Sequence, residues 1–180
     1  MAAVPSKTAA DAGRLAMTEQ EFRHFYAETA RPLKSYLTRI TGQADLADDL
    51  LQEAYYRMLR AELPALDAQQ MKNYLYKVAT NLTRDHFRRP SRQETPAEEM
   101  QIADPRAVGS SASLDIQRVL STIKPQEREM VWLAYVEGAS HREISAITGV
   151  KESSVRPLLY RIRQKLAALL CDSGLDGGSK

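Results

Sequence analysis

Residues 140–165 read SHREISAITGVKESSVRPLLYRIRQK. The stretch predicts a short helix, a tight turn and a longer basic helix. That is the helix-turn-helix pattern, which places one helix in the DNA major groove. Each piece has a local cause. Ser140 can cap a helix, and Glu143, three residues on, can reach back to close a capping box. Ile144 and Ile147 give that helix an apolar side, and Gly149 suits the left-handed position just past its end. Val150 and Val155 are expected to pack the turn against the second helix. There Leu159, Ile162 and Leu166 recur at helical spacing, with Arg156, Tyr160, Arg161, Arg163 and Lys165 around them. A solvated basic helix on any small helical domain fits the same residues, so the rest of the chain must decide.

Upstream, Pro125 stands at a helix-start position, and Met130, Val131, Trp132, Leu133, Ala134 and Val136 make an apolar helix closed by Gly138. Ser113 can cap a helix carrying Leu114, Ile116, Val119, Leu120 and Ile123. Before it, residues 91–113 change character. Prolines, a glycine and Ser/Ala clusters replace any helical stripe, which predicts a flexible linker, acidic at Glu94, Glu98, Glu99 and Asp104.

The first half is also helical by pattern. Thr18 and Glu21 form a capping-box signature, and Phe22, Phe25, Tyr26, Leu33, Leu37 and Ile40 line one face up to Gly42, with Pro32 expected to kink or restart the helix. Asp45 reads as the N-cap of a second helix whose buried stripe is Leu46, Leu50, Leu51, Ala54, Met58 and Leu59. Asp48, Asp49, Gln52 and Glu53 fall together on its other side, an acidic face that simple solvation also explains. Asp67 and Gln70 make another cap-like pair. The helix they open, about residues 68–89, turns Met71, Leu75, Val78, Ala79 and Leu82 to a core. On a different face Tyr74, Lys77, Asn81, Arg84 and Arg88 recur near whole turns. Rings stack on unpaired bases, cations meet phosphates, and an amide can bond a base edge. An ordinary exposed basic helix is the competing reading.

The expected fold class is all-α: two small helical domains joined by a flexible linker, the second a helix-turn-helix, winged-helix-like domain. The expected boundaries are a disordered N-terminus over 1–17, a first domain over 18–90, the linker over 91–113, a second domain over 114–170 and a flexible tail over 171–180. The 180 residues carry a net charge of +2, too small by itself to imply nucleic acid, so the distribution of charge matters. One cysteine, Cys171, excludes a disulfide framework, fits a reducing cytoplasm and reads as incidental. No apolar run is long enough to span a membrane, and the first sixteen residues lack the core of a secretory signal.

Catalytic and metal signatures are missing. His24, His86 and His141 lie on separate elements, HREIS lacks the second histidine of a zinc-binding HExxH, and there is no cysteine pair, phosphate loop or serine elbow. The expectation is a non-enzyme with no metal, no cofactor and no small-molecule substrate.

Two segments together resemble the sigma-70 family of bacterial RNA polymerase sigma factors, in its compact extracytoplasmic function (ECF) form. DLADDLLQEAYYRMLR followed by NYLYKVATNLTRDHFRR is similar to the family's second region, and IKPQEREMVWLAYVEGASHREISAITGVKESSVRPLLYRIRQKL to its fourth. The resemblance implies roles. Asp45, Asp48, Asp49, Gln52 and Glu53 would dock on the clamp helices of the β′ subunit of core polymerase, which the chain would engage together with the β subunit. Tyr74, Lys77, Asn81, Arg84 and Arg88 would read the −10 promoter element as melted strand. Ser153, Ser154, Arg156, Tyr160, Arg161 and Arg163 would read the −35 element as duplex. It further implies promoter DNA and an anti-sigma factor as partners, and a cytoplasmic location. Two domains on a flexible linker are expected to have their relative orientation set by polymerase or by an anti-sigma partner.

The chain departs from the family where V-K-S-R-L is usual and VRPLL stands here. Proline is tolerated only near a first helical turn, so the recognition helix is expected to start late, capped by Ser153 or Ser154. A stand-alone helix-turn-helix regulator and a sigma mimic that sequesters an anti-sigma factor are the alternative readings. The first has no use for the first domain, and the second usually carries an attached receiver domain.

Overall fold

The computed structural model describes residues 17–88, 120 and 122–172, with the side chains of 171 and 172 excluded. Among them are six helices and no strand: α1 (Glu19–Thr41), α2 (Ala44–Arg60), α3 (Ala68–Arg88), α4 (Pro125–Tyr135), α5 (His141–Thr148) and α6 (Glu152–Asp172). A strand-built wing is therefore not part of the helix-turn-helix among the described residues. The linker, most of the helix expected after Ser113, and both chain ends lie outside them. No described helix is long and apolar enough to cross a membrane.

The first three helices pack as a bundle. Thr18 and Glu21 close the capping box of α1, and Gly42, at φ 74°, ends the helix. Pro32 does not restart it: α1 runs unbroken through that position. Asp45 is not the cap of α2. Gln43 holds that place without a side-chain bond, and Asp45 sits in the first turn, where its charge still favours the helix N-terminus. The Asp67–Gln70 pair forms as read: the Gln70 N–H donates to Asp67 Oδ1 at 2.7 Å, and the Asp67 N–H to Gln70 Oε1 at 3.0 Å.

The core contains Leu33, Leu37, Ile40, Leu50, Leu51, Met58, Leu75 and Leu82. Two assignments differ from the apolar pattern. Leu59 is 38% exposed and Tyr26 44% exposed, while Tyr36, Tyr55 and Tyr76 are buried. Ring contacts and hydroxyl bonds explain the exchange. Tyr36 and Tyr76 lie 5.3 Å apart by centroid, and the Tyr36 hydroxyl bonds the Thr80 hydroxyl at 2.7 Å. The Tyr55 hydroxyl bonds that of Thr29 at 2.7 Å. A buried phenol is stable when its hydroxyl finds such a partner.

In the second half Pro125 opens α4, and α5 shows the Ser140–Glu143 capping box and Gly149 at φ 75°. No Cβ would clash at Gly149, so the positive φ is what favours glycine there. Val155, Leu159 and Ile162 are buried against Ile144, Ile147 and Leu133. The recognition helix starts early, at Glu152, which leaves Pro157 inside it as the sixth residue. The late start is thus corrected. The turn from Lys151 closes with a Ser154 N–H to Lys151 C=O bond at 2.8 Å, which commits the chain to helix before Ser153 could cap it. Pro157 is exposed, so its ring meets solvent on that side, and the only backbone bond it forfeits is the one to the Ser153 carbonyl.

The two halves touch. α3 packs on α5, and the C-terminal part of α1 on α4. The chain alone thus sets an orientation, where the sequence led us to expect one set by partners.

Candidate functional site

On α2, Asp45, Asp49 and Gln52 are exposed along one stripe, continued by Tyr56 at 53% exposure. Asp48 and Glu53 flank it and are already paired. Lys34 Nζ of α1 lies 2.6 Å from Asp48 Oδ1, and Arg57 Nε lies 2.6 Å from Glu53 Oε1. Exposed pairs of this kind contribute about 0–1 kcal/mol each, so a stronger basic partner can displace them. The result is a negative face of three free and two exchangeable positions.

On α3, Tyr74, Lys77, Asn81 and Arg88 share the outward face; Tyr74 is half-buried and the other three are exposed. Arg88 pairs with Asp85 at 2.7 Å. Arg84 stands at the edge of this face and is not free. Its Nη2 donates to Glu129 Oε2 of α4 at 2.6 Å, and its Nη1 to the Thr148 carbonyl of α5 at 2.8 Å.

On α6, Ser153, Arg156, Tyr160 and Arg163 form an exposed stripe at helical spacing, with the Arg163 guanidinium 6.0 Å from the Tyr160 ring centroid. Ser154 is half-buried beside Val155. Arg161 turns away from the stripe into an open cleft between the halves, which Arg84, Gln126, Thr148, Val150 and Leu158 also line.

Residues that pattern reading has no cause to single out hold the seam between the halves. Gln69 and Asn73 donate to Glu143 Oε1 at 2.8 and 3.1 Å. Lys72 Nζ lies 3.0 Å from Glu137 Oε2, and the Trp132 ring N–H donates to Glu137 Oε1 at 3.2 Å. Arg128 donates to the Arg39 and Ile40 carbonyls at the end of α1, at 3.2 and 3.4 Å. Partners across the seam are 45–89 residues apart in sequence, beyond any periodicity.

The electrostatics follow from the geometry. The Ser140 backbone N–H, then its hydroxyl, then Asn73 hold the Glu143 carboxyl down at about 2. Burial pushes Glu129 above the usual carboxylate range, and the Arg84 guanidinium works against that rise. Burial pushes the Tyr76 phenol up as well, reinforced by the Glu137 carboxylate it faces. No group of three or more acidic, histidine or cysteine residues is placed to hold a metal among the described residues.

Comparison with known proteins follows the same division. The family model "Sigma-70 region 2" matches residues 25–93, and "Sigma-70, region 4" matches residues 113–166. The chain is 31% identical over 140 residues to the ECF RNA polymerase sigma factor SigE of Mycolicibacterium smegmatis, covering 71% of this chain and 53% of SigE. It is 30% identical over 141 residues to ECF sigma factor SigM of Bacillus subtilis, covering 74% and 85%. It is 27% identical over 163 residues to RNA polymerase sigma factor CarQ of Myxococcus xanthus, covering 88% and 94%. The chain thus spans about half of SigE but most of SigM and CarQ. In fold it is similar to the sigma factor RpoE crystallised with the anti-sigma factor NepR from Bartonella quintana, with TM-score 0.66 and 20% identity over 84% of this chain and 97% of that one.

Proposed function

Because the chain belongs to the sigma-70 family, in its ECF branch, we propose that it binds core RNA polymerase and directs it to a set of promoters by two-point recognition of DNA. The observation that carries this reading is the joining, in one chain and in this order, of a region 2 half presenting an acidic stripe and a ring–amide–cation face with a region 4 helix-turn-helix. The work is binding, with no bond made or broken by the protein.

Asp45, Asp49 and Gln52, with Asp48 and Glu53 exchanging their lysine and arginine partners, form the surface for the β′ clamp helices; charge complementarity supports that partner. Tyr74, Lys77, Asn81 and Arg88 take the melted −10 strand: the ring for stacking, the amide for a base edge, the cations for phosphates. Ser153, Arg156, Tyr160 and Arg163 enter the −35 major groove, with Ser154 and Arg161 at the margins. Base-edge contacts of this type discriminate by about 1–3 kcal/mol each. The domains run over 18–90 and 114–170, the protein acts in the cytoplasm with the polymerase, and an anti-sigma factor is a fitting regulator, since the RpoE of similar fold is complexed with one.

In-vitro transcription tests the reading. Purified chain added to core polymerase is expected to give initiation at a fixed subset of promoters, none of it by core alone. Specific, tight binding to duplex DNA without polymerase, and no initiation with it, would instead make the chain a stand-alone regulator.

A further inference from the structure

We propose that the open cleft beside α6 is a binding site for a small amphipathic anion, a flat apolar body carrying one carboxylate, sulfonate or phosphate group, and that Arg161 is its charge partner. The inference goes beyond promoter recognition and does not depend on it.

Three observations carry it. The first is the lining. The cleft holds about 300 Å³, at the small end of the range for ligand pockets, roughly 300–1,000 Å³. Except for Arg84, its lining comes from the second half. Met130 and Ile162, both buried, and Val150 and Leu158, both half-buried, give it an apolar surface. Apolar walls with a few convergent polar groups are the general makeup of small-molecule sites.

The second is charge. Arg161 and the Gln126 amide have no hydrogen-bond or ion-pair partner among the described residues. The nearby acids are engaged. Glu127 Oε2 lies 2.8 Å from Lys165 Nζ and accepts the Lys124 N–H at 2.9 Å. The Glu129 side chain is 1% exposed and is paired with Arg84. An entering anion therefore meets a free guanidinium and a free amide, and each of these carboxylates already has its cation. The planar fork of arginine suits the paired oxygens of a carboxylate, sulfonate or phosphate.

The third is the departure of VRPLL from V-K-S-R-L. Leu158 stands where that pattern has arginine. It lies three residues before Arg161 on α6, so the two share a face. An arginine at 158 would set a second long cation beside Arg161 and remove the apolar wall. The pairing of wall and cation is thus a property of this chain's own residues. Arg161 turns away from the stripe of Ser153, Arg156, Tyr160 and Arg163, so an anion it holds leaves that stripe uncovered.

NMR titration of the full chain with 2-naphthoate, and separately with its uncharged counterpart 2-naphthamide, tests this. The Met130 and Leu158 methyls and the Gly149 and Val150 amides report on the cleft. Naphthoate is expected to give saturable shifts centred on these groups. Arg161→Gln should weaken naphthoate about tenfold, the scale of one charge-assisted bond, and leave naphthamide unchanged. Leu158→Glu, whose carboxylate can take up Arg161, should weaken both. Shifts spread over the chain without saturation overturn the site, as does equal affinity for acid and amide. So does a naphthoate titration that Arg161→Gln leaves as in the wild type; Arg161 is exposed, and its replacement leaves the fold intact. Transcription plays no part in this readout, so failure of the site and failure of the promoter reading are told apart.

Discussion

The Tyr36 hydroxyl of α1 lies 2.7 Å from the Thr80 hydroxyl of α3, with both residues fully buried. Two polar side chains 44 residues apart satisfy each other at the heart of the first bundle. Removing one partner strands the other. Tyr36→Phe is expected to lower unfolding stability by about 1–2 kcal/mol. Thr80→Val should cost about as much, and the double variant less than the sum of the two. Denaturant titration of all three checks this, and simple additivity would refute a direct bond.

Reversal of charge on the α2 stripe separates docking from folding. Asp49→Lys with Glu53→Lys should abolish association with core polymerase. The fold should lose no more than about 1 kcal/mol, because Asp49 is exposed and the Glu53–Arg57 pair lies at the surface. A pull-down and a thermal melt on the same sample decide it, and normal association would remove α2 as the docking face.

Asn81 is exposed on the outward face of α3. Asn81→Ala should reduce transcription from promoters carrying the preferred −10 sequence more than from −10 variants. A bond from an amide to a base edge discriminates by about 1–3 kcal/mol, so the preference should fall by roughly fivefold to 150-fold. Uniform loss across a promoter panel would mean that Asn81 reads no base.

Pro157 forfeits one backbone bond inside α6. Pro157→Ala restores the N–H for the Ser153 carbonyl. It should stabilise the second half by roughly 1–3 kcal/mol, the interior-proline penalty less the unfolded-state stiffness that proline contributes. Calorimetry measures it; a destabilised variant would show that the helix depends on the proline ring.

Glu143 gives the seam a pH dependence of definite sign. Its carboxyl is depressed from 4.5 to about 2 by Ser140 first and by Asn73 after it. The bonds it accepts are therefore fully present above pH 4.5 and are lost as the pH falls toward 2. Glu129, raised by burial, works in the opposite direction. Carboxyl NMR should find the Glu143 midpoint near 2, and Asn73→Ala should raise it part of the way back. An unshifted midpoint in the intact chain would mean that the cap and the seam bonds do not form.

Much of the fold is legible in the residues themselves. The Ser140–Glu143 and Thr18–Glu21 boxes and the glycine stops at Gly42 and Gly149 are rules of adjacent residues, and all form. The helix-turn-helix follows from them and from apolar spacing. Rules of spacing fail where a side chain is amphipathic. Tyr36 and Tyr76 escape the apolar stripe because a phenol can face either way until its surroundings choose. The start of α6 escapes too, because the cost of Pro157 depends on whether it faces solvent, which spacing does not reveal. Arg84 carries the spacing of its neighbours on the outward face of α3 and none of its bond to Glu129, which depends on how α4 returns to α3.

The Arg128 guanidinium reaches from α4 to the last carbonyls of α1. One half of the chain thus bonds carbonyls at the C-terminal end of a helix belonging to the other, beside its own Gly42 cap. The two regions are not freely interchangeable parts. A hybrid that joins this first half to a foreign second half inherits an α1 end without its guanidinium, unless the donor brings an arginine at the matching place. In this chain, compatibility between the halves is written in a few cations and carboxylates.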